Sequence, residues 1–352
     1  MNYNLDNNIF GLDIGERALR LVQLKKRGKK ILLASYNEVT LNPEIISNGQ
    51  IQKEEELIKA LNKLVKSANG SRVKTKKIIT VLPEAKTFIK LIEISSPENK
   101  EDLPELVKEE VKNHIPLSLE EIYLDWQIIS QKSGQIKLLI GAVPKDTADP
   151  YSATLEKSGL LPYVFEIEAA AITRSLLTKN DKGAKIIIDF GAVRTGLIIY
   201  DHQTVPFTVS LPISGNKITE TITKTLKLNS EEAEKAKVVC GLDSKKCEGA
   251  LLKILLQSMD DLTKQIKKAI TFYKSNFPNS NEISEIILCG GGANFSSIDQ
   301  VISEKLGIPA KIGNPFTNII QSKKLTIPAN KSLSYTTAIG LALRAFEKKD
   351  LL

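Results

Sequence analysis

Apolar runs interrupted by glycine-containing turns predict paired β-strands in both halves of the chain. Near the N-terminus, one apolar run ends at Asp13, turns through Gly15 and continues as a second apolar run. In the second half, the run 186–188 ends at Asp189, turns through Gly191 and again continues as an apolar run. The two aspartates are separated by half the length of the 352-residue chain. An internal repeat of this period predicts a duplicated fold with one Asp-x-Gly hairpin in each half.

The remaining periodicity mixes strands with amphipathic helices, which indicates an α/β fold. The predicted strands cover 9–12, 19–25, 31–38, 77–83, 88–94, 123–130, 136–144, 163–167, the hairpin 186–200, 204–211, 285–289 and 311–313. The predicted helices cover 54–68, 98–114, 147–158, 168–177, 218–226, a segment capped by Ser230, 247–276, 295–306 and 336–347. The block 84–163 has the order β-α-β-β-α, with a turn at Ser133 and Gly134, and predicts an inserted subdomain.

Each Asp-x-Gly hairpin has the residue types of a phosphate and magnesium site. Glycine lets backbone N–H groups approach an anion closely, and an aspartate at a strand end can bind hydrated Mg²⁺. One such hairpin is more typical of an ordinary turn, whereas two copies at half-chain spacing favour a ligand site. Gly290, Gly291 and Gly292 follow an apolar strand and precede a helix. This loop leaves room for a flat ring or a sugar and directs N–H groups at anions.

The charge of the chain is a net +8, from 49 basic and 41 acidic residues. Basic clusters at 25–30 and 72–77 are typical of solubilising turns and, less often, of weak attraction to an anionic membrane or an acidic partner. Aromatic residues make up only 5% of the chain and no known nucleic-acid module is present, so nucleic-acid binding is not predicted. The polar N-terminus and the lack of an apolar run of roughly 20 residues predict a cytoplasmic protein.

The cysteines and histidines offer no further site. Cys240, Cys247 and Cys289 are too few and too unevenly spaced for a disulfide framework. No histidine lies near the first two cysteines, so a metal site is not predicted there. His114 and His202 are isolated and are predicted to be structural.

Taken together, the two hairpins, the alanine-rich helix and the glycine loop resemble the actin–Hsp70–hexokinase superfamily. Within it, the chain resembles the PilM family of type IV pilus assembly, which is related to the cell-division protein FtsA. The matching segments are 11–15, 84–163, 232–235, 270–273, 290–293 and 338–344. The resemblance implies an actin-like fold of two duplicated ribonuclease-H-like lobes. The implied domains are 1–83, 164–180 and 335–352 for the core of lobe 1, 84–163 for its inserted subdomain, 181–215 and 285–334 for the core of lobe 2, and 216–284 for a helical insert.

The resemblance also implies ATP and Mg²⁺ as cofactors. Asp13 and Asp189 would bind Mg²⁺ through water. The residues implied in nucleotide binding are Asp13, Gly15, Glu16, Arg17, Asp189, Gly191, Ala192, Lys235, Gln265 or Lys268, Gly290, Gly291 and Gly292. Glu168, with Glu166 as an alternative, stands where the superfamily often positions an attacking water.

Several departures from the family pattern favour nucleotide binding over hydrolysis. Glu16 and Arg17 follow the first glycine, where the family usually has small hydroxyl residues. A glutamate beside a phosphate repels it. Gln265 stands where a glutamate is usual. We therefore predict a nucleotide-binding protein with weak or no hydrolysis.

The function implied by the resemblance is that of a cytoplasmic scaffold, peripheral to the inner face of the membrane, in which nucleotide-dependent closure of the lobes shapes a partner groove. The implied partner is the N-terminal cytoplasmic tail of PilN, bound between residues 84–163 and the first lobe. Motor ATPases, indirect membrane association and self-association are implied as well. One alternative is a small-molecule kinase, for which Glu166 and Glu168 are the candidate bases. The other is an FtsA-like filament protein, whose C-terminal amphipathic helix is not expected in a sequence that stops at Leu352.

Overall fold

The computed structural model describes residues 8–83, 86–97, 99–132, 134–243, 245–249, 251–277 and 279–347. The chain divides into two compact units, the first within 1–174, 319–326 and 337–352 and the second within 175–318 and 327–336. Residues 319–326, predicted in lobe 2, thus lie in the first unit, and residues 175–180 and 335–336, predicted in lobe 1, lie in the second. The predicted start of the inserted subdomain at residue 84, and Ser133 of its predicted turn, lie outside the described residues.

The first unit is built on one mixed sheet. Its strands are β1 (Phe10–Ile14), β2 (Ala18–Arg27), β3 (Lys30–Thr40), β6 (Asn69–Gly70), β7 (Lys77–Val81) and β11 (Leu161–Glu166), and a small hairpin follows β3 as β4 (Ile46–Ser47) and β5 (Gln50–Ile51). The sheet order is β11-β7-β1-β2-β3-β6. β1 pairs with β2 antiparallel, with Asp13 opposite Arg20, and with β7 parallel. The predicted N-terminal hairpin is therefore confirmed.

Two helices cover one face of this sheet. Helix α1 (Glu54–Lys66) buries Leu57, Leu61 and Leu64, which recur at helical spacing on one face. Helix α3 (Lys145–Lys157) packs into the same core. Helix α3 is predicted in the inserted subdomain, but its apolar side chains are buried with those of α1 because the inserted sheet is already covered by another helix.

The inserted subdomain has its own sheet and core. It consists of β8 (Phe88–Ser95), α2 (Leu103–Lys112), β9 (Ile122–Lys132) and β10 (Gln135–Pro144), with the sheet order β8-β10-β9. Helix α2 buries its valines against the apolar side chains of this sheet. The helix is shorter than predicted, because a 3₁₀ turn precedes Leu103. Strands β8 and β9 are the edges of this sheet.

Small residues allow a close helix crossing in the first unit. Helices α4 (Glu168–Leu176) and α9 (Thr336–Arg344) meet where Gly340 lies against the backbone of Ala171. A Cβ added at Gly340 would overlap the carbonyl oxygen of Ala171. Gly11 of β1 also lies close to the α9 backbone, since a Cβ there would collide with the Ala338 oxygen and lie 2.6 Å from the Ala342 nitrogen. These glycines therefore set the distance between the helices and the sheet.

The second unit repeats the strand pattern of the first. Its sheet contains β12 (Ala184–Phe190), β13 (Thr195–Asp201), β14 (Thr204–Leu211), β15 (Ile283–Cys289) and β16 (Ala310–Ile312), in the order β14-β13-β12-β15-β16. β12 and β13 form the predicted antiparallel hairpin, with Asp189 opposite Gly196. β12 and β15 are parallel, which places Asp189 beside Cys289.

The helices of the second unit start at positions that differ from the prediction. They are α5 (Gly215–Leu226), α6 (Ser230–Cys240), α7 (Leu252–Asn276) and α8 (Ile298–Leu306). Ser214 caps α5, so this helix begins three residues before the predicted Ile218. Asn229, not Ser230, is the N-cap of α6 and forms a capping box with Glu232. Asn229 is the cap because an N-cap residue must have extended backbone angles while its side chain accepts a hydrogen bond from a helix N–H group.

A disulfide joins the end of α6 to the segment before α7. Cys240 and Cys247 are bonded, with their Cα atoms 5.6 Å apart, whereas Cys289 is a buried thiol that donates to Asp189 Oδ1 at 3.8 Å. The cysteine count did not predict this bond. Gly241 reverses the chain with φ 55° directly after Cys240, and this turn brings the two cysteines together.

Breaking this disulfide is expected to destabilise the protein by about 2 kcal/mol, because the bond restricts the unfolded chain over a short loop. Cys247 is exposed, so a reductant can reach it. Urea unfolding with and without dithiothreitol measures the change. In Cys247→Ser the reductant should have no effect, and equal stability of the wild type with and without reductant would contradict the prediction.

Neither a membrane-spanning helix nor a metal cluster is found among the described residues. Within 8–347, outside the gaps given above, each helix is too short or too polar to cross a bilayer. The same residues contain no group of three or more His, Cys, Asp and Glu side chains that could hold a metal ion.

Candidate functional site

The first hairpin buries its aspartate beside an arginine. Asp13 lies near the end of β1 and is 7% exposed. The Nη1 atom of Arg20, across the strand pair, donates to Asp13 Oδ2 at 3.4 Å, and Arg20 also donates to Glu38 at 2.8 Å. The turn is closed by the Gly15 amide, which donates to the Ala18 oxygen at 3.1 Å. The carboxylate is thus held at the strand end by tertiary packing.

The protonation of Asp13 depends on its neighbours. Burial raises the pKa of Asp13 from its ordinary value of 3.8 to about 7, and the charges of Glu168 and Glu38 add to this rise. Arg20 opposes it. The pKa of Asp13 therefore depends on Glu168, at the start of α4, as well as on its cross-strand partner Arg20.

The stability of the protein should fall as Asp13 loses its proton. Between about pH 4 and pH 7, the folded protein keeps a proton on Asp13 that the unfolded chain releases. The stabilisation that this bound proton gives to the folded state is therefore complete below about pH 4 and is lost as the pH rises to about 7. We expect Asp13→Asn to gain stability relative to the wild type over this range, by up to about 4 kcal/mol. Urea unfolding from about pH 4.5 to 7.5 measures it, with the exposed Asp125→Asn as control. A pH-independent difference between Asp13→Asn and the wild type would refute the prediction.

Glu16 and Arg17, the unusual pair of the first loop, have different environments. Glu16 Oε1 accepts a hydrogen bond from the Gly49 amide at 2.9 Å, so this carboxylate is engaged by the small β4–β5 hairpin. Arg17 Nη1 is buried and has no hydrogen-bond partner among the described residues. An unpaired buried donor of this kind costs free energy that a bound anion would offset.

The two glutamates considered as catalytic have distinct surroundings. Glu166 is buried and accepts two bonds from Arg174, at 2.6 and 2.8 Å, and one from Arg344. Burial raises the pKa of Glu166, but the two arginines outweigh it and hold the pKa below its ordinary value. Glu168 is half-buried and accepts a bond from Thr337 at 3.4 Å. Of the two, Glu168 is the one near Asp13.

The second hairpin is braced by a helix N-terminus. The Gly191 amide donates to the Arg194 oxygen at 3.0 Å and closes the turn. The amides of Gly215 and Asn216, at the start of α5, donate to the oxygens of Gly191 and Ala192 at 3.0 and 2.9 Å. Ala192 is exposed at the tip of this turn. The loop is therefore fixed while its outer side remains accessible.

The glycine loop packs directly on the second hairpin. Gly290 has φ 80°, and a Cβ there would collide with the Asp189 carboxylate and lie 2.7 Å from the Phe190 oxygen. A Cβ at Gly292 would overlap the Phe190 ring. Gly291 is exposed. Gly290 and Gly292 are therefore required by packing, whereas a Cβ added at Gly291 would lie 3.2 Å from Ser334 Oγ.

Lys237 is a buried lysine at this site that the sequence analysis did not identify. Its Nζ donates to the Gly215 oxygen at 3.1 Å, to Thr219 at 2.7 Å and to Glu234 at 2.5 Å. Burial lowers the pKa of Lys237, and Glu234 opposes this shift. Lys237 shares a helix face with the buried Ala233 and Cys240, and a lysine on an apolar stripe is the signal that could have revealed it.

The other residues predicted in the helical insert lie elsewhere on its surface. Lys235 is exposed and pairs with Glu231, four residues before it on α6. Lys268 is exposed on α7, where it lines a shallow groove together with Phe272, and Gln265 is half-buried. The structure thus brings Asp189, Gly191, Ala192 and the glycine loop together in the second unit, and Asp13, Gly15 and Glu168 in the first. It does not place Lys235 or Lys268 against these loops.

Comparison with known proteins gives the family. The model of the type IV pilus assembly protein PilM family matches residues 11–346. FtsA of Neisseria meningitidis is 24% identical over 207 residues, which cover 53% of this chain and 49% of that protein. FtsA of Pseudomonas aeruginosa is 22% identical over 203 residues, covering 52% and 48%. The chain spans about half the length of these curated relatives.

Solved structures share the fold. The PilM-PilN type IV pilus biogenesis complex matches with a TM-score of 0.82 at 20% identity, over 97% of this chain and 99% of that chain. MreB5 of Spiroplasma citri bound to ADP matches with a TM-score of 0.55 at 14% identity, over 96% and 95%. These likenesses confirm the predicted actin-like α/β fold. Because the family model covers nearly the whole chain, the protein belongs to the PilM family of type IV pilus assembly proteins.

Proposed function

We propose that this protein is a cytoplasmic scaffold of the type IV pilus assembly machine, which binds ATP with Mg²⁺ and the N-terminal cytoplasmic tail of PilN. The match of the PilM family model over residues 11–346 carries this proposal. The location is the inner face of the cytoplasmic membrane, reached through PilN. Motor ATPases of the pilus and further copies of the chain are the additional partners.

The nucleotide part rests on residues that fit a polyphosphate and a hydrated cation. In the second unit, Asp189 would hold Mg²⁺ through water, the Gly191–Ala192 turn would contact phosphate, and the exposed Gly291 backbone would lie against the nucleoside. In the first unit, Asp13 and Gly15 keep the corresponding roles. The Nη1 atom of Arg17, which is buried and has no hydrogen-bond partner in the described part of the chain, supports an anion at that hairpin. Nucleotide is also present in a protein of the same fold, MreB5 bound to ADP.

Binding with weak or no hydrolysis is the expected behaviour. Bound Mg²⁺ would neutralise phosphate charge and orient the nucleotide. Glu168 remains the residue proposed to position water. Glu166 is neutralised by two arginines, so it is poorly suited to accept a proton. This pairing also removes one of the two candidate bases of the kinase alternative.

The inserted subdomain offers a surface for an extended peptide. Strand β9 is a sheet edge whose outer backbone groups can pair with another strand. Tyr123 and Ile128 of β9 are 50% and 46% exposed, and Leu106 of α2 is 41% exposed. Apolar side chains beside a free strand edge are the features that peptide binding by strand addition uses. We place the PilN tail on this edge where it meets the first lobe, since the Tyr123 hydroxyl of β9 donates to Asp149 of α3 at 2.9 Å.

Titration of a fluorescent peptide of the PilN N-terminal tail tests the scaffold proposal. We expect binding by the full chain and, for Ile128→Arg, an affinity at least about tenfold weaker. Val239→Arg is the matched control, because Val239 is also exposed but lies on α6. Absence of binding with and without MgATP would refute the scaffold role, and equal loss in both variants would refute the β9 site.

An FtsA-like filament is the second candidate function, favoured by the FtsA relatives. Sedimentation of the chain with MgATP, at increasing protein concentration, distinguishes it. Nucleotide-dependent pelleting without PilN supports a filament, whereas a constant small species supports the scaffold alone.

A further inference from the structure

Three segments far apart in sequence carry exposed basic residues to one end of the first sheet, the end at which β2 turns into β3. We call this surface the basic edge and define it as residues 25–30, 72–76 and 322–325. In the sequence the first two segments are separate basic clusters, and neither is adjacent to the third. All three lie in the first unit, so their arrangement is internal to one compact body.

Strand pairing brings the first two segments together. The β2–β3 hairpin ends with Arg27 opposite Lys30, and Gly28 at its tip has no atom near its side-chain position. Strand β3 then pairs with β6, with Ser35 opposite Gly70. Directly after β6, the Ser71 amide donates to the Ala34 oxygen at 2.9 Å. The chain leaves β6 at residue 72 and crosses this end of the sheet to β7, where the Lys76 oxygen accepts a hydrogen bond from the Leu161 amide of β11 at 2.8 Å.

Backbone hydrogen bonds hold the third segment beside strand β3. The Leu33 amide donates to the Ile320 oxygen at 3.0 Å, and the Ile320 amide donates to the Ile31 oxygen at 2.9 Å. The Tyr36 hydroxyl donates to the Thr326 oxygen at 2.8 Å. Residues 322–325 form a turn between these anchors. The turn is thereby held beside β3 and Gly70.

The charge on this edge is concentrated and unneutralised. The basic residues of the three segments are Lys25, Lys26, Arg27, Lys29, Lys30, Arg72, Lys74, Lys76, Lys323 and Lys324. All of them are exposed, and the segments contain no Asp or Glu. Among the described residues, none of the ten forms an ion pair. These ten positive charges exceed the net charge of +8 of the whole chain, so the remainder of the molecule has no positive excess.

A polar groove lies within the basic edge. It has a volume of about 500 Å³ and is lined by Lys25, Tyr36, Asn69, Ser71 and Lys324, among others. Ammonium, amide and hydroxyl groups are donors that suit phosphate oxygens. Beside it, Ile320 is 44% exposed, which provides an apolar side chain at the same surface.

We propose that the basic edge binds the anionic phospholipid surface of a membrane directly, with lipid phosphates at the groove. Basic clusters of this size are attracted to anionic bilayers by about 1 kcal/mol per residue near the surface, without a fixed sequence. A membrane is favoured over a nucleic acid, because Tyr36 is the only aromatic residue in the groove lining and its hydroxyl is already bonded to Thr326. This contact goes beyond the indirect association through PilN and does not depend on it.

Vesicle flotation of the purified full chain, in the absence of PilN, tests the proposal. We expect binding to phosphatidylcholine vesicles that contain about 30% phosphatidylglycerol and none to pure phosphatidylcholine. Binding should be lost when NaCl rises from about 0.05 M to 0.5 M, because salt screens these charges. In K25E/K26E/K323E/K324E, the affinity should fall by about 100-fold or more.

The matched control is K253E/K264E/K267E/K274E, which makes the same change in net charge on the exposed side of α7. It should keep most of the vesicle binding. Circular dichroism verifies that both variants are folded, and K25Q/K26Q/K323Q/K324Q provides a milder second variant. An equal loss of vesicle binding in the α7 control, or vesicle binding that does not weaken as NaCl is raised, would overturn the proposal. Binding to a duplex DNA oligonucleotide without binding to anionic vesicles would also overturn it and assign the edge to nucleic acid.

Discussion

Replacing Gly340 with leucine is expected to destabilise the first unit by more than about 3 kcal/mol. A Cβ at this position would overlap the Ala171 carbonyl oxygen, which is backbone and cannot rotate away. The α4–α9 pair would have to separate, and the bond from Arg174 to the Gly340 oxygen at 3.1 Å would weaken with it. Gly340→Ala is also expected to lower the free energy of unfolding, although alanine normally stabilises a helix interior by about 1 kcal/mol relative to glycine.

Calorimetric unfolding of Gly340→Ala and Gly340→Leu tests this graded loss. Gly28→Ala is the control, because Gly28 has φ 60° but no atom within 4 Å of its added Cβ. It should cost only the backbone strain of about 1–2 kcal/mol. A Gly340→Leu protein as stable as the wild type would show that α4 and α9 are not in close contact.

The second large effect is expected at Lys237. We predict that MgATP raises the melting temperature of the wild type and that Lys237→Met abolishes or strongly reduces this shift. Lys237 Nζ donates a hydrogen bond to the Gly215 oxygen at the start of α5, and the Gly215 amide in turn donates to the Gly191 oxygen. Losing charge-assisted bonds of this kind should weaken nucleotide affinity by about 10- to 100-fold.

Lys235→Met is the matched control on the same helix. Lys235 is exposed and pairs only with Glu231 among the described residues, so its loss should leave the MgATP shift unchanged. Asp189→Ala should abolish the shift, as expected for a magnesium-holding residue. The melting temperature without nucleotide separates folding defects from binding defects. If Lys235→Met removes the shift and Lys237→Met does not, the assignment made from the sequence is right and the structural one is wrong.

Much of the fold could be predicted because strand and helix periodicity is local. The run Ile186–Ile188 is fully buried in β12, as a continuous apolar run in a central strand should be. The Asp-x-Gly hairpin after it could be read from the sequence for the same reason, since a turn is fixed by its own residues. The helix starts were predicted less accurately. Asn229 and Ser230 are both good N-cap residues, and which of them is the cap depends on backbone angles that the sequence alone does not show.

The candidate site was predictable in its loops and not in its supporting side chains. The repeat of Asp13 and Asp189 and the glycine loop are sequence patterns. The choice between Lys235 and Lys237 depends on which face of α6 is buried, and the bond from Gly49 to Glu16 joins residues far apart in the chain. The Cys240–Cys247 bond depends on the turn at Gly241.

The sequence by itself determined the α/β class and the duplicated hairpins, because these follow from short-range apolar patterns and turn residues. The family was indicated separately, by the resemblance of its motifs to those of PilM proteins. The tertiary structure alone decided that Glu166 is neutralised by Arg174 and Arg344, and that residues 322–325 join two other basic segments at one end of the first sheet. The physical reason is range. Local periodicity reports neighbours within a few residues, whereas charge pairing and surface charge density depend on which distant segments the folded backbone brings together.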